Sequence, residues 1–161
     1  MKLDHAVELV QDAEASLADE LRTLGERHAA ESDVYHTAHL LAARCTTQLE
    51  RLLPHAERYS APQRSDAGGS PGPLERARRL SSELLAGRPE PAMLLLHDLR
   101  ETYVSAHDAE IAWVMLRQAA KAARDTELVA TAEEGLEEAE RRWKWLRTKI
   151  KDASPQVLVV G

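Results

Sequence analysis

Phenylalanine is absent from this 161-residue chain, cysteine occurs once, and tryptophan and tyrosine occur three times each. The lone Cys45 excludes an internal disulfide and any four-cysteine metal site. A chain that needs no disulfide suits a reducing compartment, so a cytoplasmic location is expected. Long apolar runs are missing as well. No run, 92–96 included, approaches the ~20 apolar residues that span a bilayer, so no membrane partner is expected. Residues 1–8 mix charged with apolar side chains, unlike a signal peptide. Excess positive charge is lacking: 21 Lys and Arg face 27 Asp and Glu, for a net charge of −6. A nucleic-acid partner therefore has no electrostatic support. Arg76, Arg78 and Arg79 make only a short, interrupted run. No glycine-rich phosphate loop, no Ser-His-Asp order and no zinc-ligand spacing occurs, so no catalytic residue is expected.

What remains is rich in Ala, Leu, Glu and Arg, which favour helix, and shows no sustained period-2 pattern. The length fits a single domain, 1–161. Leu3, Val7, Val10, Glu14, Leu17, Leu21 and Leu24 repeat at 4-3 spacing, which is one face of a helix. Val34, Ala38, Leu41, Cys45 and Leu52 form a second stripe, with Ser32 or Asp33 as the cap before it and Pro54 as a kink. Together they give a helical hairpin over 3–59. Pro and Gly residues then crowd a linker, 60–73. A short helix is expected over 74–86, ended by Gly87 and Pro89. A second hairpin over 90–151 turns near Asp125 or Thr126. Its first stripe is Leu99, Tyr103, Ala106, Trp113 and Ala120; its second is Val129, Leu136, Trp143 and Ile150. Pro155 should end the last helix, leaving an apolar tail within 152–161. Trp145 should point away from the core and mark a partner contact.

Three of the four stripes carry a mid-stripe glutamate: Glu14, Glu110 and Glu140. A carboxylate there costs several kcal/mol unless it is paired, protonated or metal-bound. Counting from the two turns places Glu14 level with Cys45 and Glu110 level with Glu140. Side-by-side hairpins then give one layer of Glu14, Cys45, Gln48, Glu110, Glu140 and Trp143. Arg117 and Arg147 stand two turns beyond Glu110 and Glu140 and can reach carboxylates, while Tyr103, Gln48 and Trp143 can donate hydrogen bonds. His107, three residues before Glu110, can swing toward the layer or only hydrogen-bond Glu110.

In helix pattern and carboxylate placement the four long helices resemble the ferritin-like superfamily. The resemblance implies an all-α, up-down-down-up four-helix bundle whose second and third helices are joined by a long crossover. It also implies a di-iron site of two single glutamates and two Glu-x-x-His pairs. Glu14 and Glu110 match the single glutamates, and Glu140 matches the glutamate of the fourth helix. Cys45, Gln48 and Trp143 depart from the pattern, so three of six ligands remain. The expectation is a soluble, bacterial-type ferritin-like bundle without a complete metal site and without a cofactor. It would bind a protein partner or form a homo-oligomer. Two rivals stand beside it: an iron or manganese oxidase or peroxide-handling protein using Glu14, Glu110, Glu140 and His107, and a small-ligand sensor.

Overall fold

The computed structural model describes residues 1–64 and 90–160, so the expected helix over 74–86 and most of the linker lie outside the described residues. Among the described residues the chain is all-helical. It has four long helices: α1 (Leu3–Arg27), α2 (Ser32–Arg58), α3 (Pro91–Ala122) and α4 (Thr126–Pro155). A π-helical turn, Gln156–Val160, extends α4 and touches α3.

The first two stripes fold as their spacing dictates. Leu3, Val7, Val10, Leu17, Leu21 and Leu24 are buried in α1, and Val34, Ala38, Leu41, Cys45 and Leu52 are buried in α2. α2 runs straight through Pro54. Glu31, rather than Ser32 or Asp33, takes the N-cap position, with no side-chain hydrogen bond. Asp33 instead pairs with Lys149 across the bundle. Asp125 does cap α4, accepting from the Leu128 amide at 3.0 Å. Helices α2 and α3 both end in a Schellman motif, closed by Ala61 N to Ala56 O at 2.8 Å and Asp125 N to Ala120 O at 3.0 Å. The left-handed position of each is held by a residue with a Cβ, Ser60 and Arg124, both at φ 56°.

Ion pairs fix which ends meet. Arg27 and His28, closing α1, meet Asp98 near the start of α3, at 3.0 and 2.8 Å. Arg58, at the end of α2, meets Glu127 at the start of α4 at 3.2 Å. So α1 lies antiparallel to α2 and α3, and α4 lies antiparallel to α3 and α2. Pro155 does not stop the chain from coiling, but it removes one helical donor, and the π-helical turn follows directly. In that turn Leu158, Val159 and Val160 stay exposed.

Helix α4 presents a different face from the one its bulky residues suggest. The buried stripe is Leu128, Ala132, Gly135, Ala139, Arg142 and Leu146. Val129, Leu136, Trp143 and Ile150 are only half-buried, and Trp145 packs half-buried against the core rather than pointing outward. The cause is close packing. A Cβ at position 135 would lie 2.5 Å from the Trp113 ring, so the bare glycine lets the indole rest on the α4 backbone. Small residues at 132 and 139 continue that close approach. The core is thereby split in two. One apolar half gathers around Leu17, Leu21, Leu41 and Leu99; the other gathers around Leu3, Val7, Leu52 and Leu128. Between them lies a polar layer.

Candidate functional site

That layer is built from one residue per turn on three helices. Glu14 and Gln11 of α1, Gln48 of α2 and Arg142 of α4 are all at most 2 % exposed. Arg142 Nη1 donates to Glu14 Oε1 at 2.6 Å, and Trp113 Nε1 donates to the same oxygen at 2.6 Å. Burial disfavours the guanidinium charge, but the Glu14 carboxylate more than offsets this and holds the Arg142 pKa above its ordinary value. Cys45 shares the layer. Burial pushes its thiol well above the usual range and the adjacent Glu14 charge adds to this, so the thiol is a poor nucleophile. Several buried polar atoms have no hydrogen-bond partner among the described residues: Glu14 Oε2, Gln48 Oε1, both amide atoms of Gln11, and Nε and Nη2 of Arg142.

Glu110 and Glu140 do not join Glu14. Glu140 is exposed and pairs with Lys144 at 2.5 Å. Glu110 is half-buried and lies 2.9 Å from His107 Nδ1. Arg147 is exposed, and Arg117 is half-buried with an unpartnered Nε. The cation that neutralises Glu14 is Arg142, not Arg117 or Arg147. The shift follows from the rotation of α4: a stripe one residue round from the expected one turns Arg142 inward and Glu140 outward.

The displaced residues meet elsewhere. Glu110 and Arg117 of α3, with Glu137, Glu140 and Trp143 of α4, line an open groove of about 510 Å³ on the outside of the α3–α4 pair. Val114 and Leu136 add apolar surface to it. His107 stacks on Trp143, with ring centres 5.2 Å apart, and Tyr103 meets His107 edge-on at 4.6 Å. Trp143 Nε1 finds no partner.

Among the described residues no three His, Cys, Asp or Glu side chains come together as a ligand set. The glutamates that match ferritin-like ligands lie on opposite sides of the helix layer, and the inward one is already held by a guanidinium and an indole.

Arg142, Gln11 and the Trp113–Gly135 contact are absent from the expected set. For Arg142 and Gly135 the signal is the 4-3 run from Leu128 to Leu146, which reads as weak because its middle members are Ala, Gly and Arg. Among the described residues no helix is long and apolar enough to cross a membrane. Compared with known proteins, the chain matches no family model, no curated protein and no solved structure.

Proposed function

We propose that this chain is a non-catalytic helical bundle of ferritin-like, up-down-down-up arrangement that acts in the cytoplasm by binding protein across the outer face of α3 and α4. One observation carries the reading: α3 exposes apolar side chains on the side away from its buried stripe. Its inner side buries Leu99, Ala106, Trp113 and Leu116. Its outer side exposes Val104, Ile111 and Met115 at 60, 58 and 51 %, with Val114 beside them at 38 %. Exposed apolar side chains clustered on one face, here Ile111, Val114 and Met115 with Val104 beyond the exposed Asp108, mark an interaction surface. The antiparallel order of the helices supports the bundle arrangement. The interior supports a non-catalytic role, because its one carboxylate is paired and its thiol is poorly ionised.

A photo-crosslinking amino acid placed at position 111 tests this in cells that produce the protein. Crosslinked products should form from position 111 and not from position 40, where Leu40 is equally exposed on the outside of α2. Equal yields from both positions, or none from position 111, would overturn the reading.

A further inference from the structure

We infer that the partner on the α3–α4 face is a second copy of this chain, docked antiparallel about a twofold axis at the height of Arg142. The inference rests on the reading of that face as an interaction surface.

Charge order along α4 carries it. From Thr126 to Glu140 the helix has acidic residues and no basic one; from Arg141 to Lys151 it has basic residues and no acidic one. On the exposed side the order is symmetrical about Arg142. Glu140 and Lys144 stand two residues to either side of it, Glu137 and Arg147 five, and Glu133 and Lys151 nine. All six are exposed. At 3.6 residues per turn they fall within one broad face, opposite the buried Arg142. A half-turn about an axis crossing α4 at Arg142 therefore sets each glutamate opposite a lysine or arginine of the second copy. A parallel pairing would set like charges together.

The isolated chain leaves much of this charge unmet. Glu140 and Lys144 pair with each other along the helix, and Glu133 reaches Lys121 only at 3.8 Å. Glu137, Arg147 and Lys151 form no ion pair among the described residues. In the antiparallel copy Glu137 faces Arg147, and Glu133 gains Lys151.

The same axis suits α3. His107 stacks on Trp143, the neighbour of Arg142, so His107 marks the axis height on α3. Val104 lies three residues before it and Ile111 four after it. The half-turn brings Val104 of one copy to Ile111 of the other. The register that pairs opposite charges on α4 thus also brings two exposed apolar residues of α3 together. The size is adequate too. Helices of 32 and 30 residues, at ~1.5 Å per residue and ~10 Å across each, offer roughly 900 Å² per copy. A standard stable interface takes about 800 Å² from each partner.

Sedimentation equilibrium of the full chain, with charge-swap variants, tests the proposal. The parent should form a dimer that weakens as salt rises. Glu137→Lys and Arg147→Glu should each weaken it by about tenfold, and the two swaps combined should restore it. Ile111→Glu should weaken it by about a hundredfold, while Leu40→Glu leaves it unchanged. All four positions are exposed, so a thermal melt with retained helicity verifies folding of each variant. A parent that stays monomeric up to about 0.5 mM overturns the proposal. So does a double swap that is no better than the singles, or a dimer broken by Leu40→Glu. Crosslinks from position 111 to a different protein, with a monomeric parent, would sink the self-pairing alone and leave the interaction face standing.

Discussion

Two regions of this bundle pair glutamate with a cation, and they do so under opposite conditions. In the inner layer Glu14 and Arg142 are fully buried, and Trp113 also donates to the carboxylate. On the outer face Glu140 and Lys144 are 51 and 60 % exposed and water competes for every bond. The inner pair is costly to assemble and costlier to break, because removing one partner strands a charge away from water. The outer pair is worth about 0–1 kcal/mol, because solvent already satisfies both ends. The same chemistry therefore acts as a structural constraint inside and as a weak, water-screened pairing outside.

The sharpest way to break this comparison is Glu14→Leu. It should lower stability by about 3–5 kcal/mol in urea unfolding, since Arg142 then has no counter-charge. Glu14→Leu combined with Arg142→Met should recover most of that loss. A single variant within about 1 kcal/mol of the parent would mean the inner pair is no different in kind from the outer one.

Next in size is Gly135→Ala. Helix propensity alone favours alanine by about 1 kcal/mol. The new Cβ, however, would lie 2.5 Å from the Trp113 ring that donates to Glu14. A net loss of about 1–3 kcal/mol is expected from overpacking, together with a changed Trp113 fluorescence. A stabilised variant would show that the indole can move without disturbing the layer.

Acid probes neither layer first but the bundle ends. Asp98 resists the upward push of burial because His28 and Arg27 hold its carboxyl below the ordinary range. Asp33 is held down by Lys149. Asp125 is raised by burial but lowered more by Tyr59 and its other donors. Each binds fewer protons folded than unfolded, so its contribution is full above about pH 5 and fades as the pH falls through about 4 and below. His55 is buried with Arg58 beside it and its pKa is lowered, so the loss begins as the pH drops below about 6.5. Urea midpoints between pH 7 and pH 3 should fall throughout, and Asp98→Asn should flatten the acid limb. A profile that rises on acidification would contradict these pairings.

The smallest effects belong to the outer glutamates. Glu110→Gln and Glu140→Gln should each change stability by less than about 0.5 kcal/mol. Added iron or manganese should not raise the parent melting temperature. A metal-dependent rise lost in Glu110→Gln would draw the groove, rather than the layer, into metal chemistry.

The fold was legible wherever the sequence carried large apolar residues at regular spacing. Both stripes of the first hairpin and the Asp125 cap are in that class, and Glu14 was placed correctly because leucine and valine flank it on every side. α4 was misread because its buried residues are small or charged, while Val129, Leu136, Trp143 and Ile150 offered a more apolar face one residue round. The missing information was the partner surface: only the Trp113 indole explains why Gly135 belongs inside. α3 was ambiguous for the opposite reason, since apolar residues on both its sides permit more than one choice of core face. Ser32 and Asp33 were plausible caps, but Asp33 had a stronger use with Lys149.

The division of the core into two apolar halves also fixes sliding. An alanine-rich antiparallel bundle is nearly periodic, and moving α4 by a turn trades one small residue for another at modest expense. Arg142 removes that freedom. A displacement of ~5.4 Å along the axis would carry its guanidinium away from the Glu14 carboxylate and leave both buried charges without their counter-charge. The buried pair thus acts as a detent: it makes one longitudinal position of α4 far more favourable than its neighbours, and so holds the outer charge order of that helix at a defined height.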